Sequence, residues 1–412
     1  MKNKACRCII CKKYAEAFFM NIIIINRWQD DFADYQGVVD HKLNDVVYIT
    51  NNSGSKYLDS VVVPYEHYVV DKLEDINKLM EIVAKIVREK GKVDRLLALS
   101  EFDIRNAGVL RSKFNIPGMN EQTAKNFTDK ISMKEALKNS SIRYPKYTKD
   151  PNDIITGKLK FPIVQKPREG AASEGVHIID DLASFRKLLD RNPAGYDYEE
   201  FVSGNIYHVD GIKHDTELQF MKISRYINTC YEYEKFKTPL GSLLIKNPLL
   251  YEKIYKMTLK VLSTLGMETG VFHLEFILHD NEPVFLEVGA RQGGGEIVPM
   301  LKQIYGVDLV LALLKSQMLE DISMLTGQEN GNYGGFLLFP EPVRTPVKVK
   351  NKTIFGGKLK TLVYEITPSI GQVLDGNGGY YFNAGRFLFV GPSEGVKEDL
   401  DYVLKNYEVA YE

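Results

Sequence analysis

The chain has 412 residues, of which 44% are hydrophobic, and its 53 basic and 54 acidic residues leave a formal net charge of -1 at pH 7. A chain of this length exceeds one ordinary hydrophobic core, so we expect roughly two to four structural units. The balanced charge argues against a basic surface field that would bind nucleic acid. No uninterrupted apolar run is long enough to span a bilayer, so no membrane partner is expected.

Residues 1–19 precede the first predicted strand. Cys6, Cys8 and Cys11 cluster there, but the fourth cysteine, Cys230, is far away in sequence. Because a structural zinc site usually needs four ligands, this spacing argues against one. The stretch also lacks the long apolar region and the cleavage site of a signal peptide. We therefore expect an extension, or an upstream start, outside the fold of a protein in the reducing cytoplasm.

Residues 20–119 predict a small parallel α/β unit, because short buried strands alternate with helical spacing. The predicted strands are residues 21–26, 46–50, 60–64 and 93–99, and the predicted helix is residues 71–91, ending at a glycine. The unit contains no GxGxxG fingerprint, which argues against a dinucleotide site of that kind.

Three further units are predicted, over residues 120–202, 203–327 and 328–412. In the first, strands at 161–167 and 175–179 form a hairpin around a loop at 168–175 that is rich in Gly, Ala and Ser. Helices are predicted at 128–139 and 181–190, and another strand at 198–202. The last unit is rich in Gly, Val and Tyr with short alternating runs, and is predicted to be mainly β.

The clearest chemical signal lies in residues 271–295. Apolar and polar residues alternate on both sides of a turn at residues 279–282, which predicts a β-hairpin with one buried face. Glu275 and Glu287 fall on the opposite face, and the midpoint of their positions, residue 281, lies in the turn. In an antiparallel pair, such neighbours have Cβ atoms about 4.5–5.5 Å apart.

Two carboxylates this close repel each other unless a cation lies between them. Mg²⁺ is typically held by one or two carboxylates together with substrate phosphates. Glu275 and Glu287 therefore predict a magnesium site. The alternative is a pair of solvated glutamates on an exposed face of the sheet.

The segment after this hairpin favours a ligand site. Arg291 supplies a planar fork for phosphate or carboxylate oxygens. The three glycines at 293–295 are costly to order unless backbone must approach a ligand closely. The predicted helix at 296–304 would point N–H groups at an anion. A plain flexible turn would explain the glycines less well.

Two lysines are candidates to face phosphate groups. Lys166 lies on a predicted strand just before the 168–175 loop, and a lysine on the inner side of a small sheet needs an anionic partner. Lys130 follows Asp129 at the start of a predicted helix. Taken singly, each lysine is better explained as an ordinary solvated side chain.

The joint order of these motifs resembles the ATP-grasp superfamily. The matching segments are Asp129-Lys130, residues 162–167 with the glycine- and serine-rich loop, Glu199-Glu200-Phe201-Val202 with Gly204, residues 273–276, and Glu287 with Arg291. The similarity covers roughly residues 120–310 and is greatest to carboxylate–amine ligases such as bacterial L-amino acid ligases.

The resemblance implies an α/β fold, α+β in parts. It implies a Rossmann-like pre-ATP-grasp domain at 20–119, a lid subdomain at 120–202, a catalytic subdomain at 203–327 and a mainly β subdomain at 328–412. ATP and Mg²⁺ or Mn²⁺ are the implied cofactors, and a small carboxylate and a small amine are the implied substrates. The resemblance is compatible with a homodimer.

Roles in binding ATP are also implied for particular residues. Lys130, Lys166 and Ser173 would contact the phosphates, with Lys166 also reaching the adenine side and the 168–175 loop closing over them. Glu199 would lie beside the adenine amino group, and the Val202 backbone would contact the ring.

Roles in catalysis are implied for the hairpin and for the arginine after it. Glu275 and Glu287 would hold the metal, Lys166 and Glu287 would take part in phosphoryl transfer, and Arg291 would stabilise the transferring phosphoryl group. His273 shares a face with Glu275, so it would either assist near the acceptor or serve as a structural histidine beside the metal.

The chain departs from the superfamily pattern at two places. Many relatives carry an acidic residue for the ribose two positions after the equivalent of Gly204, where this chain has Ile206, and Asp210 is the candidate to compensate. Many relatives also carry Asn two positions after the second metal carboxylate. Here that position is Gly289, so the second cation would be held more weakly or by Glu287 alone.

The implied reaction is attack of a carboxylate on the γ-phosphorus of ATP, followed by attack of an amine on the acyl phosphate. A carboxylase that activates bicarbonate is one alternative, although no carrier Met-Lys signature is present. A non-catalytic ATP-binding protein is another, although such a protein would be expected to have lost Glu275, Glu287 or Arg291. The tyrosines and lysines of residues 225–247 would either recognise substrate or coat a mobile loop, and the second interpretation is favoured.

Overall fold

The computed structural model describes residues 19–29, 32–60, 65–189, 195–376 and 383–412. Apart from its last position, the predicted N-terminal extension with Cys6, Cys8 and Cys11 lies outside the described residues. Within the described part of the chain, the strands form four sheets, one of them parallel.

The N-terminal sheet is parallel, with strand order β3-β2-β1-β4. Its strands are Asn21–Asn26 (β1), Asp45–Thr50 (β2), Glu66–Val69 (β3) and Arg95–Ala98 (β4), and the accompanying helices are Asn52–Ser60 (α1), Ile76–Lys90 (α2) and Glu101–Phe114 (α3). The central strands β1 and β2 are almost wholly buried, as their continuous apolar runs require in a sheet covered on both faces.

The predictions for this unit hold at three strands and one helix. Helix α2 begins after Asp75, whose side chain accepts hydrogen bonds from two backbone N–H groups, and this start is later than the predicted one at residue 71. Its end at Gly91 agrees with the prediction. The prediction of a strand at residues 60–64 is wrong at Ser60, because Ser60 is the last residue of α1. Residues 61–64 lie outside the described part of the chain. Helix α3 was not predicted.

The second unit contains an antiparallel sheet, here called the lid sheet, with strand order β5-β8-β6-β7. Its strands are Tyr147–Thr148 (β5), Ile163–Pro167 (β6), His177–Ile179 (β7) and Tyr196–Glu200 (β8), and its helices are Glu121–Thr128 (α4), Lys130–Leu137 (α5), Pro151–Ile155 (α6) and Leu182–Leu189 (α7). The predicted hairpin of β6 and β7 is confirmed. The helix predicted at 128–139 starts later, because Asp129 ends α4 and caps α5.

The remaining strands form an eight-stranded antiparallel sheet and a small three-stranded sheet. They are Asn205–His214 (β9), Glu217–Tyr226 (β10), Leu240–Leu244 (β11), Gly270–His279 (β12), Glu282–Gly289 (β13), Tyr333–Phe339 (β14), Val347–Lys352 (β15), Leu362–Ile366 (β16), Val373–Leu374 (β17), Gly385–Gly391 (β18) and Val409–Tyr411 (β19). The eight-stranded sheet, here called the large sheet, has the order β13-β12-β9-β10-β11-β14-β18-β16. Because β14, β16 and β18 belong to it, the predicted boundary at residue 327 divides one continuous sheet.

Five helices accompany these strands in the described residues. They are Cys230–Phe236 (α8), Pro248–Leu265 (α9), Ile297–Tyr305 (α10), Leu309–Gln317 (α11) and Ser393–Asn406 (α12). Among the described residues, no single helix is both long and apolar enough to cross a membrane, and α10 with α11, bent by 98°, meets that test only as a pair.

One face of β12 is buried, and this fixes the direction of the other face. Phe272, Leu274 and Phe276 are each 0% exposed and share a hydrophobic core with α9. Burying each such side chain contributes on the order of 1.5–3 kcal/mol. A shift of one residue would turn Glu275 into this core, so the apolar alternation fixes the register.

A buried ion network joins α5 to the lid sheet. The ammonium group of Lys134 contacts the carboxylates of both Asp197 and Glu199 on β8, and all three side chains are at most 2% exposed. Lys166 on β6 lies 2.8 Å from Glu199 through Nζ and Oε1. Two buried cations therefore balance two buried carboxylates, and removing one cation would leave a charge uncompensated.

We predict that Lys134→Met lowers the free energy of unfolding by about 3–5 kcal/mol, because Lys166 alone cannot neutralise Asp197 and Glu199 in the protein interior. Urea denaturation monitored by circular dichroism measures the change. The double variant Lys134→Met/Asp197→Asn should recover part of the loss, since it removes one of the two carboxylates.

Lys138→Met is the matched control, because Lys138 lies one turn further along the chain and is exposed. The free energy of unfolding of this variant should stay within about 0.5 kcal/mol of the native value. If Lys134→Met destabilised the protein no more than this control, the buried network would not hold α5 on the lid sheet.

Candidate active site

A cavity of about 410 Å³, here called the central cavity, lies between the lid sheet and the large sheet. Seven of the ten predicted site residues line it, namely Lys130, Lys166, Ser173, Glu199, Val202, Glu275 and Glu287. They come from α5, from β6 and β8 with the chain after each of these strands, and from the β12–β13 hairpin. The fold therefore gathers at one place residues that the sequence distributes over four segments.

Glu275 and Glu287 are directly paired across β12 and β13. The turn between the strands consists of Asp280 and Asn281, both with positive φ, as a tight two-residue hairpin favours. This turn alone would set Glu275 opposite Leu286, but a β-bulge beside Glu275 shifts the register by one residue. As a result, both Leu286 and Glu287 line the central cavity.

The carboxylate of Glu275 is held by two neighbours. Its Oε1 accepts a hydrogen bond from the Tyr226 hydroxyl at 2.8 Å and lies 3.4 Å from His273 Nε2. Burial raises the pKa of Glu275, but the contacts with His273 and Tyr226 outweigh it and leave that pKa below its ordinary value. Glu275 is therefore an ionised carboxylate directed into the cavity.

Glu287 faces a lysine from α5. Lys130 Nζ lies 3.5 Å from Glu287 Oε2 and donates to the Gly170 carbonyl at 3.1 Å. Lys130 is the first residue of α5, whose N-terminus is capped by the Asp129 carboxylate. Arg168 Nη2 lies 2.5 Å from Asp129 Oδ2, so the same residue fixes both the helix start and the beginning of the 168–175 loop.

Lys166 and Glu199 form the buried wall of the lid side. Burial alone would raise the pKa of Glu199, but Lys134 and Lys166 hold it below its ordinary range. Burial and the neighbouring Glu199 carboxylate instead raise the pKa of Asp197 to about 7. Glu199 thus carries the negative charge beside Lys166, and its oxygens lie at the cavity wall.

The loop between β6 and β7 has an unusual backbone. Gly170, Ala172, Ser173 and Gly175 all have positive φ, which is uncommon for the two residues that carry a Cβ. Successive residues in such conformations can turn several N–H groups toward one concave space, a geometry that binds anions. Ser173 lines the central cavity, in agreement with its predicted position.

Arg291 is tied to the N-terminal unit. Its Nε donates to Glu101 Oε2 at 2.5 Å, and Nη1 donates to the Gln292 carbonyl at 2.7 Å. Glu101 is the first residue of α3, so the N-terminal unit contributes directly to the site. A Cβ atom at Gly289 would lie 2.8 Å from Glu101 Oε2, so the glycine at this position leaves room for the carboxylate.

The structure does not bring Asp210 to the central cavity. Its carboxylate is 1% exposed and lies 2.6 Å from His208 Nδ1 and 2.8 Å from His273 Nδ1. Two buried imidazoles therefore occupy both oxygens, and a contact with a ribose is not available. Gly293 packs against this group, because a Cβ there would lie 2.5 Å from Asp210 Oδ1.

His273 is likewise not among the residues that line the central cavity. Its protonation state also differs from that required of a general base. Burial lowers the pKa of His273, but the Asp210 carboxylate raises it more, to a net value of about 9. The imidazole is then protonated near neutral pH and cannot accept a proton. Of the two roles considered from the sequence, the geometry favours the structural one, in which His273 supports Glu275 and Asp210.

Several residues at the site were not predicted. Glu101, Lys134, Asp197 and His208 act through contacts with residues far away in sequence, which leave no local pattern. The spacing of Asp197 and Glu199 by two positions on a strand was a usable signal, because such residues share a face.

The segment at residues 225–247 lies against the central cavity. Tyr226, Cys230 and Tyr231 line it, and Tyr226 also contacts Glu275. The prediction that this segment coats a mobile loop is therefore wrong for α8. A capping box of Thr229 and Glu232 fixes the start of this helix.

Residues 127–295 match the ATP-grasp domain family. The chain is similar to the L-arginine-specific L-amino acid ligase of Bacillus subtilis, with 26% identity over 373 residues that cover 85% of this chain and 88% of that protein. It is also similar to dapdiamide A synthase of Enterobacter agglomerans, with 23% identity over 235 residues that cover 52% of this chain and 54% of that protein.

Among solved structures, the chain is similar to an L-amino acid ligase from Bacillus licheniformis, with a TM-score of 0.73 and 18% identity over 95% of this chain and 99% of that chain. A phosphoribosylglycinamide synthetase from Anaerococcus prevotii gives a TM-score of 0.69 with 16% identity, over 96% of this chain and 100% of that chain. At these identities, the structural likeness shows a shared fold. Together with the family match, it establishes that the chain has the ATP-grasp fold and that its residues 127–295 are an ATP-grasp domain.

Proposed function

We propose that this protein is an ATP-dependent carboxylate–amine ligase that forms an amide bond through an acyl phosphate and releases ADP and phosphate. The observation that carries the proposal is the pairing of Glu275 with Glu287 on one wall of a cavity whose other wall presents Lys130 and Lys166. This arrangement places carboxylates and cations around one space, as binding of a metal–nucleotide complex requires.

The lid side suits the base and phosphates of ATP. Glu199 and Val202 both line the cavity, and their carboxylate and backbone groups could form hydrogen bonds with adenine. Lys130, Lys166 and the loop that contains Ser173 supply the positive charge and N–H groups for phosphate oxygens. Ile206, in the place of an acidic residue, also lines the cavity and contributes apolar contact instead of a ribose hydrogen bond.

Glu275 and Glu287 fit a divalent cation such as Mg²⁺ or Mn²⁺. Their strands hold them in register, both line the cavity, and hard oxygen donors are the ligands that these cations prefer. When bound, the cation would neutralise negative charge on the phosphates of the nucleotide.

The residues of the chain would then guide two chemical steps. In the first, a carboxylate oxygen of the substrate attacks the γ-phosphorus in line, the bond to the bridging oxygen breaks, and ADP leaves. Lys130, Lys166 and Arg291 stabilise charge on the phosphoryl oxygens during this transfer. The loop at 168–175 keeps water from the product of this step, which is an acyl phosphate.

In the second step, an amine attacks the acyl carbonyl carbon, the bond to the phosphate oxygen breaks, and inorganic phosphate leaves with its electron pair. The amine loses a proton and the amide forms. Arg291 would hold the departing phosphate through Nη2, which takes part in neither the Nε contact with Glu101 nor the Nη1 contact with Gln292. His273, protonated and paired with Asp210, holds Glu275 in place.

Amino acids or amino-acid-like molecules are the proposed substrates. The Bacillus subtilis relative, which the chain matches over most of both lengths, is an L-amino acid ligase specific for L-arginine. The amino acid pair that this chain joins depends on its own cavity walls. The side chains that line the central cavity of this chain include Tyr226, Tyr231 and Phe236.

We predict that purified protein, ATP and Mg²⁺ release ADP and phosphate only when a suitable pair of free amino acids is present. A panel of amino acids, with and without bicarbonate, tests this by measuring phosphate release and identifying the condensed product by mass spectrometry. Stimulation by bicarbonate without a dipeptide product would instead support a carboxylase. Nucleotide binding with no turnover across the panel would support a non-catalytic protein.

We predict that Glu287→Gln lowers Mg²⁺-dependent ADP formation by about 10²-fold or more while the fold is retained, because the amide cannot replace the charge of a metal-binding carboxylate. Steady-state kinetics measure the loss, and circular dichroism monitors the fold. Binding of Mn²⁺ in the presence of ADP, followed by electron paramagnetic resonance, should weaken in parallel.

Glu282→Gln serves as the control, because Glu282 lies on the same strand but pairs with Lys253 at the surface. This variant should retain ADP formation and Mn²⁺ binding within twofold of the native values, about 0.4 kcal/mol. Near-normal turnover by Glu287→Gln would contradict the assignment of Glu287 to the metal.

A further inference from the structure

A set of polar side chains, here called the histidine network, runs through the large sheet from β12 across β9 to β11. Its members are Glu275, His273, Asp210, His208 and Ser242. His208 and Ser242 are 0% exposed, Asp210 is 1% exposed and His273 is 8% exposed. Of these five residues, only Glu275 lines the central cavity. The network therefore connects one carboxylate of the proposed metal site to the interior of the sheet.

Each member of the network contacts the next through a polar atom. His273 Nε2 lies 3.4 Å from Glu275 Oε1, and His273 Nδ1 lies 2.8 Å from Asp210 Oδ1. The other oxygen of Asp210 lies 2.6 Å from His208 Nδ1, and His208 Nε2 lies 2.7 Å from Ser242 Oγ. Because neighbouring strands are about 4.8 Å apart, the His208 side chain spans β10 to reach β11.

Asp210 fixes the orientation of both imidazoles. Burial raises the pKa of Asp210, but the contacts with His273 and His208 outweigh it and leave that pKa below its ordinary value. An ionised carboxylate only accepts hydrogen bonds, so Nδ1 of each histidine donates to it. Each ring is therefore held with Nδ1 toward Asp210 and with Nε2 toward a second partner, which is Glu275 for His273 and Ser242 for His208.

His208 is also connected to Glu275 by a second route, through Tyr226. The ring centroids of His208 and Tyr226 are 4.7 Å apart, and the Tyr226 hydroxyl donates to Glu275 Oε1 at 2.8 Å. Both routes end on the same carboxylate oxygen, and Oε2 takes part in neither contact. The two oxygens of Glu275 are thus divided, because the protein holds Oε1 and leaves Oε2 for a ligand in the central cavity.

We propose that His208 is a positioning residue for the metal site: the histidine network and Tyr226 hold Oε1 of Glu275, so that Oε2 faces the divalent cation. This inference rests on the proposed binding of a cation by Glu275 and Glu287. Residues that orient a metal ligand from behind typically change metal affinity by about 10–100-fold when they are substituted. His208 is fully buried and does not line the cavity, so it acts on the cation only through Glu275.

Two substitutions at the same buried position test this inference. The amide nitrogen of asparagine is bonded to Cγ, as Nδ1 of histidine is, so His208→Asn keeps a donor for Asp210. The amide nitrogen of glutamine lies further from the backbone, so His208→Gln moves the donor toward Ser242 and loses the contact with Asp210. Asparagine leaves the larger void, so a role in packing alone predicts that His208→Asn is at least as damaging as His208→Gln.

Binding of Mn²⁺ to the full chain, with ADP and without amino acids, is measured by electron paramagnetic resonance of the free ion. We expect His208→Gln to weaken Mn²⁺ binding by about tenfold or more, and His208→Asn to stay within about threefold of the native protein. The affinity for ADP in the presence of EDTA, measured by isothermal titration calorimetry, should be unchanged in both variants. This second measurement separates an effect on the cation from general damage to the central cavity.

Two serine variants decide the question if a substitution at His208 prevents folding. Ser242→Ala removes the partner of His208 Nε2 and should weaken Mn²⁺ binding by about threefold or more. Ser224→Ala is the matched control, because Ser224 is 2% exposed and lies opposite His208 in the register of β9 with β10, but is not a member of the network. Its affinity for Mn²⁺ should stay within about 1.5-fold of the native value.

Three results would overturn the inference. The first is the absence of Mn²⁺ binding by the native protein with ADP. The second is unchanged Mn²⁺ affinity in folded His208→Gln or, if that variant does not fold, in Ser242→Ala. The third is an equal loss in His208→Asn and His208→Gln, which would indicate packing alone. Mn²⁺ binding in the expected order, without an amide product from any amino acid pair, would instead contradict the proposed ligase reaction and leave the role of His208 intact.

Discussion

The site depends on two carboxylates of like charge being held opposite each other, Glu275 on β12 and Glu287 on β13. Left alone they would repel each other, and the repulsion would favour protonation of one of them. The fold opposes this with Tyr226 and His273 at Glu275 and with Lys130 at Glu287. Since the apolar alternation of β12, the tight turn and the β-bulge beside Glu275 together fix the register, the repulsion cannot be relieved by sliding the strands. A divalent cation held by Glu275 and Glu287 would relieve it and could also bind phosphate oxygens.

Around this pair, two other structural units contribute charged groups. The lid sheet supplies Lys166 and the charged partner Glu199, which is kept ionised by cations on both sides. The N-terminal unit supplies Glu101, which fixes the guanidinium of Arg291 beside the space left by Gly289. Beside the glycine that departs from the superfamily pattern lies a carboxylate from another unit, which is paired with Arg291. Movement of the lid or of α3 would change the charge balance at the reacting centre directly.

The sequence predicted those features that arise from local periodicity. The two-residue period of a strand predicted that Glu275 and Glu287 lie near each other on one hairpin, but their direct pairing depends on a β-bulge that leaves no periodic pattern. Contacts over long separations were missed, because neither Glu101 with Arg291 nor Lys134 with Asp197 leaves a periodic signal. Asp210 was expected at the nucleotide because of its position after Gly204, but His208 and His273 bind its carboxylate instead. The apolar run at residues 60–64 also predicted a strand beginning at Ser60, which is instead the last residue of α1.

Diffraction from crystals of the protein with ADP and Mn²⁺, collected at the manganese absorption edge, tests the central interaction most directly. We expect anomalous density within coordination distance of both Glu275 and Glu287, adjoining the phosphates of the nucleotide. The buried group of His208, Asp210 and His273, whose ligand atoms lie within 4.8 Å of one another, is the competing position. Density at that group, or nucleotide phosphates remote from the two glutamates, would contradict the assignment of the metal and with it the proposed chemistry.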